Sequence, residues 1–234
     1  PAFGYELGHI VKDGIRRMYG ENSENVYYYL TVYNEPYQQP AEPENLDVES
    51  LLKGIYLLKK PLRWRRKKVA LLASGVAVNW AIKAQKLLND DFGIAATIYS
   101  VTSWNELRRD GLAVDRHNLL NPDKKVSAFI TKKLKKESGP VIAVSDFMRS
   151  VQDQIAPWVS QPFYSLGTDG FGLSDTRGAL RRHFKVDAES IAVAALSQLH
   201  KEGLVSKRKV KKAISKYQIN DVTAAEAGNT EGSG

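Results

Sequence analysis

Residues 167–177, GTDGFGLSDTR, gather three glycines, three hydroxyl side chains and two carboxylates into eleven positions. They follow the apolar run Phe163 to Leu166 and precede a helical pattern, Arg177 to Phe184. Strand, glycine-rich loop and helix, in that order, is a setting in which backbone N–H groups can hold a phosphate. The details argue against one. Gly167, Gly170 and Gly172 read G-x-x-G-x-G, which is not the order of the dinucleotide fingerprint, where each glycine has its own steric task. In the run Asp169, Ser174, Asp175 the two aspartates place carboxylates where a phosphate needs N–H donors and cations. The loop is therefore expected to be structural, with Asp175 capping the next helix and Asp169 accepting loop N–H bonds.

Other chemistry is sparse. His9, His117, His183 and His200 have no second ligand at a recognised metal spacing such as H-E-x-x-H, and surface or packing roles are expected for them. Ala73-Ser74-Gly75 is a second strand-to-helix turn of small residues; a phosphate could fit there, but a tight turn needs Gly regardless. No nucleophile-elbow or P-loop pattern occurs. The chain has no cysteine, which removes disulfides, thiolate metal sites and thiol catalysis.

The formal net charge of +8 is clustered. Lys59 to Lys68 (KKPLRWRRKK) holds seven basic residues and no acid, and Lys132–Lys136 and Lys207–Lys212 are two more runs. Such runs are the footprint of a polyanion binder or, more plainly, solvated faces. Trp64 alone is not a base-stacking platform. No apolar run approaches the ~18 residues of a membrane span, and no signal peptide opens the chain.

The elements that would position these residues alternate. Residues 5–19 form a helix with Leu7, Val11, Ile15 and Met18 on one face; it suggests that the chain opens partway through a larger unit. Asn25 to Asn34 (NVYYYLTVYN) has the composition of a strand buried on both sides, and 36–47 is a proline-rich linker. From about residue 50, strands at Val69–Ala73, Ile94–Val101, Val141–Val144 and Phe163–Leu166 alternate with helices, the helix Val76 to Leu88 among them and another spanning Val126 to Lys136. Ser103 and Glu106 form a capping box, and Asp146, Asp187 and Ser206 stand at N-cap positions. This predicts an α/β fold with a mostly parallel sheet, right-handed crossovers and helices on both faces. Residues 220–234 are expected to be disordered.

Taken together, GHIVKDGIRRMYGE (8–21), ENVYYYLTVYNEPYQQPAEPEN (24–45), YSVTSWNELRRDG (99–111), GPVIAVSDFMRSVQDQIAPWV (139–159) and LGTDGFGLSDTR (166–177) resemble, in order, the C-terminal part of the homodimeric, transketolase-like pyruvate dehydrogenase first component of actinobacterial type. The resemblance implies that 1–40 ends a middle, pyrimidine-binding domain with its last helix and strand, that 41–52 is a linker, and that 53–219 is a transketolase C-terminal-like domain with a five-stranded sheet. It implies an enzyme that decarboxylates pyruvate on thiamine diphosphate with Mg²⁺ and reductively acetylates a lipoyl group, a cytoplasmic homodimer working with a dihydrolipoyl acetyltransferase. The G-D-G cofactor motif is not in these residues, so this region is expected to bind no cofactor or metal, to hold no catalytic residue and to serve packing and dimerisation. Asn34, Glu35 and Tyr37 would line the substrate channel. The basic run 59–68 and the lysine-rich stretch 121–137 depart from the family pattern. The competing expectation is a stand-alone basic α/β module that binds nucleic acid or another polyanion.

Overall fold

The computed structural model describes residues 1–225. Helix α1 (Gly4–Tyr19) and a long extended segment lead to a short helix, α2 (Val48–Leu52), and strand β1 (Ile55–Lys59). Then follow β2 (Lys68–Ala73), α3 (Ala77–Phe92), β3 (Ala95–Val101), α4 (Trp104–Leu120), α5 (Phe129–Leu134), β4 (Val141–Val144), α6 (Arg149–Asp153) and β5 (Phe163–Leu166). Helices α7 (Arg177–His183), α8 (Ala188–Lys201) and α9 (Lys207–Lys216) complete the chain.

The sheet runs β1-β3-β2-β4-β5, with β1 antiparallel and the other pairings parallel. Side chains alternate across it. Val69, Leu71, Ala73, Ile98, Ile142 and Val144 meet α3 and α8 on one face. Ala70, Leu72, Tyr99, Val141 and Ala143 meet α4 and α5 on the other. The three inner strands, β3, β2 and β4, are buried on both faces and largely apolar, which is why they are visible as apolar runs; β5, at the edge, is half-buried. The chain steps from β2 outward to β3, then crosses back to β4 on the other side of β2. The sheet therefore changes direction between β2 and β4, and a crevice opens beyond their C-terminal ends.

Helix α1 is fixed by a buried carboxylate. Glu6 is fully buried. Its Oε2 accepts from the backbone N–H groups of Ala2 and Phe3, at 2.5 and 3.1 Å, closing the helix N-terminus. Its Oε1 accepts from Tyr56 Oη at 2.7 Å and Ser100 Oγ at 2.6 Å. Tyr56 and Ser100 are direct partners across β1 and β3, so one side chain ties the helix to both strands at the sheet edge. With its charge met by four donors the burial is tolerable; unmet, it would not be.

This geometry corrects several expectations. The buried face of α1 is Glu6, Ile10 and Gly14, whereas Val11 and Ile15 are exposed and Leu7 and Met18 half-buried. Asn25 to Asn34 forms no strand and pairs with none among the described residues, and Tyr27 and Tyr29 stand in solvent. An isolated β-rich run has nothing to satisfy its ladder, and composition alone does not supply a neighbour. The helix expected over Val126 to Lys136 shrinks to α5. Asp146 caps nothing: the first N–H of α6, on Arg149, donates instead to Asp169 at 3.0 Å. The N-cap of α7 is Thr176, while Asp175 accepts from the Thr176 N–H. Residues 222–224 form a 3-10 turn rather than a disordered start to the tail; the remainder of that expectation lies outside the described residues.

Ser103, with its side chain on the Glu106 N–H, and Asp187, on the Ser190 N–H, cap α4 and α8 as expected. Ser206 occupies its N-cap position without a side-chain bond.

Replacing Glu6 by Ala leaves two hydroxyls and two N–H groups facing an empty site. Glu6→Ala should lower unfolding stability by on the order of 3 kcal/mol in urea titrations. A loss under ~0.5 kcal/mol would mean that the four bonds are not formed together.

Candidate functional site

The crevice between β2 and β4 is where an open α/β sheet ordinarily takes its ligand. Here the Tyr33 ring fills it. Gly75, at the end of β2, has φ +56°, and a Cβ there would collide with the Tyr33 ring. Tyr33 Oη donates to Asp146 Oδ1 at 2.9 Å, just beyond β4. The Ser74-Gly75 turn is therefore no phosphate cradle. Its glycine makes room for an aromatic side chain, and Ser74 Oγ accepts from Trp104 Nε1 at 3.0 Å.

Beside Tyr33 lies a cleft of about 440 Å³. Asn34, Glu35 and Trp80 line one part of it; Asp146, Thr168, Gly170 and Gly172 line another; Arg177, Leu180 and Arg181 from α7, with Phe184 just past its end, lie on the remaining side. Glu35 and the Arg181 guanidinium form an ion pair, and the same guanidinium lies 4.6 Å from the centre of the Trp80 ring. That stacked, paired arginine fixes the extended segment over α3. Thr168 Oγ1 donates to the Asp146 carbonyl at 2.5 Å, tying the glycine-rich loop to the end of β4.

The electrostatics follow from burial. Asp146 sits above the usual carboxylate range because burial disfavours its charge, an effect partly offset by the Tyr33 hydrogen bond and by Arg181. The Tyr33 phenol is also raised, by burial and by the neighbouring Asp146.

The structure separates the residues that sequence brought forward. Asn34, Glu35, Gly170 and Gly172 share the cleft. Tyr37 does not line it; its hydroxyl donates to the Ala2 carbonyl at the start of α1. Gly167 lies against the Phe147 carbonyl, where a Cβ would stand 2.5 Å from that oxygen. Asp169 is turned to the α6 N–H, Asp175 holds the start of α7, and Ser174 is exposed. Tyr33, Trp80 and Arg181 carried no local signal, and Asp146 came forward only as a helix cap. The partners of Tyr33 and Glu35 lie 113 and 146 residues away in the chain.

What the cleft can do is bind and brace. No histidine lines it. Among the described residues no group of three or more His, Cys, Asp or Glu could hold a metal ion. No helix among them is long and apolar enough to cross a membrane. The loop glycines in its lining, Gly170 and Gly172, flank an exposed Phe171 and follow Asp169. These residues do not fit a magnesium diphosphate.

Comparison with known proteins bears on this arrangement. The profile described as "Transketolase-like TK C-terminal domain" matches residues 54–187, and that described as "Pyruvate dehydrogenase E1 component middle domain" matches residues 1–40. The chain is 53% identical over 226 residues to the pyruvate dehydrogenase E1 component of Mycolicibacterium smegmatis, covering 96% of this chain and 24% of that protein. It is 48% identical over 232 residues to the one from Mycobacterium tuberculosis, covering 99% of this chain and 25% of that protein. Against the Escherichia coli K12 protein the identity is 42% over 222 residues, covering 94% and 25%. The chain thus spans about a quarter of the length of these relatives. Among solved structures, a transketolase variant from Pichia stipitis superposes with a TM-score of 0.57 at 21% identity, over 88% of this chain and 26% of that one, a likeness of fold.

Removing the Tyr33 hydroxyl withdraws a donor from Asp146. Because the Asp146 carboxyl is raised in the fold, the native state favours its protonated form, and native stability falls as pH rises through that pKa. Tyr33→Phe makes the ionised state costlier still. It should destabilise by about 1–2 kcal/mol at pH 7, with the gap from the parent narrowing on the acid side. A gap that widens on acidification in paired urea titrations would contradict the assignment.

Proposed function

The chain belongs to the transketolase-like C-terminal domain family, in the form found in pyruvate dehydrogenase E1 components, and on that premise we propose that it works as the C-terminal region of such an enzyme. The observation that carries this reading is the similarity, 42–53% identity over 94–99% of the chain, which takes in both the middle-domain segment and the C-terminal domain. The complete enzyme would be a cytoplasmic homodimer. It would decarboxylate pyruvate with thiamine diphosphate and Mg²⁺ held elsewhere, and pass the two-carbon unit to a lipoyl group of a dihydrolipoyl acetyltransferase.

In this reading the region braces the enzyme and takes part in dimer packing. Glu6 and Tyr33 supply the brace: each reaches from the first 40 residues into the sheet. Asn34 and Glu35 leave the crevice side by side and would border the substrate path. Tyr37 anchors their backbone through the Ala2 carbonyl. The glycine-rich loop would be a structural part of the same wall, its conformation set by Thr168 and Asp169.

Purified residues 1–234 given pyruvate, thiamine diphosphate and Mg²⁺ should release no CO₂ above background; steady release would defeat the proposal that the chemistry lies outside this region. In the complete enzyme, Asn34→Ala is expected to lower kcat/KM for pyruvate about tenfold, equivalent to ~1.4 kcal/mol. Unchanged kinetics with an unchanged dimer would remove Asn34 from the channel.

A further inference from the structure

Two of the basic runs converge in space. The loop 59–68 leaves β1 along α3, where Gln85 Nε2 donates to the Lys60 carbonyl at 3.0 Å. It reaches the far end of that helix: a Cβ on Gly93 would lie 3.9 Å from Arg65 Nε. From the other side, Lys209 of α9 donates to the Phe92 carbonyl at 3.2 Å. Arg65 and Lys209 thus meet at the C-terminus of α3, the negative end of the helix dipole. The third run, around α5, takes no part in these contacts; its Lys133 is bound to Asp47.

The charge balance of the molecule resides in this face. The loop 59–68 and α9 contain 13 of the 34 Lys and Arg and none of the 26 Asp and Glu. The remaining residues, with 21 bases against 26 acids, are net negative. On α9, Lys207, Arg208, Lys211 and Lys212 are exposed and have no ion-pair partner among the described residues. Within the loop, Trp64 is 79% and Leu62 54% exposed. Tryptophan and arginine together are the residue types that dominate binding energy at interfaces.

Two features decide the kind of partner. Asp90 stands exposed on the last turn of α3 between the two basic segments, and Asp91 beside it is paired with Lys216 of α9 at 2.5 Å, so the basic surface is two patches rather than one continuous phosphate track. Leu62 offers apolar surface that a base cannot stack on. We propose that the face formed by the loop 59–68 and α9 docks an acidic protein segment carrying apolar side chains, with Trp64 and Leu62 as its anchors. The inference rests on charge, exposure and the junction at Phe92–Gly93, and stands independently of any role in pyruvate chemistry.

The test uses the 234-residue chain and three probes of equal length: a peptide of repeating Glu-Glu-Leu, poly-glutamate, and oligo-dT. The Glu-Glu-Leu peptide should bind most tightly and should weaken on the order of tenfold between 50 and 200 mM salt. Trp64→Ala should weaken it at least fivefold while leaving poly-glutamate binding nearly unchanged. Arg63→Glu with Lys211→Glu should weaken both peptides at least tenfold, and the control pair Lys132→Glu with Lys136→Glu should not. Circular dichroism keeps unfolded variants out of the comparison. Tighter binding of oligo-dT, equal loss in the control pair, or no effect of Trp64→Ala would each overturn the proposal.

Discussion

Tyr33 lies against Gly75 at the end of β2 with its hydroxyl on Asp146 at the end of β4. Much of the surrounding structure depends on that placement. The sheet reverses direction between these strands and leaves a crevice that must be filled by a ligand or by the protein itself. A glycine with positive φ opens space for a ring. An aspartate without a helix to cap takes the phenol. The glycine-rich loop leans on the same aspartate through Thr168, and Arg181, stacked on Trp80, holds the next residues of the segment by pairing with Glu35. A site with the topology of a ligand pocket has become a joint between chain segments, leaving a smaller cleft at its side.

Glu6 performs the equivalent task at the β1 edge of the sheet. A fully buried carboxylate is tolerated only when its lone pairs are met, and here two N–H groups of its own helix and two hydroxyls on paired strands meet them. Glu6 and Tyr33 act at different seams of the sheet, β1/β3 and β2/β4, and both belong to the first 40 residues. The joint therefore resists rotation as well as separation. This gives physical content to the proposal that the region braces a larger enzyme: loads on the first segment pass into the sheet through two fixed, hydrogen-bonded points.

Legibility in the sequence followed the range of the interaction. β2, β3 and β4 are largely apolar because both faces are covered, and Ser103 and Asp187 cap helices through bonds three residues long; both kinds of signal are local. β1 escaped because its five residues bury unevenly, with Leu57 exposed. Asn25 to Asn34 misled because tyrosines and valines mark residues that suit a sheet, not the presence of one. The apolar stripe Leu7, Val11, Ile15 gave the helix its period but the wrong face, since the decisive buried residue is a charged one. Asn34 and Glu35 came forward through family resemblance. Tyr33, Asp146 and Arg181 could not, because they meet across more than a hundred residues of chain.

The central claim is that the first 40 residues and the sheet domain are one cooperative unit. Native-state hydrogen exchange tests it most directly, by comparing the amide of Ile10 in α1 with that of Leu71 in β2 as denaturant is raised. The account predicts that the two amides share one opening free energy and converge on the global unfolding transition. Exchange of Ile10 through an opening that leaves Leu71 protected would show that Glu6 and Tyr33 do not join the segment to the sheet, and the account would fail.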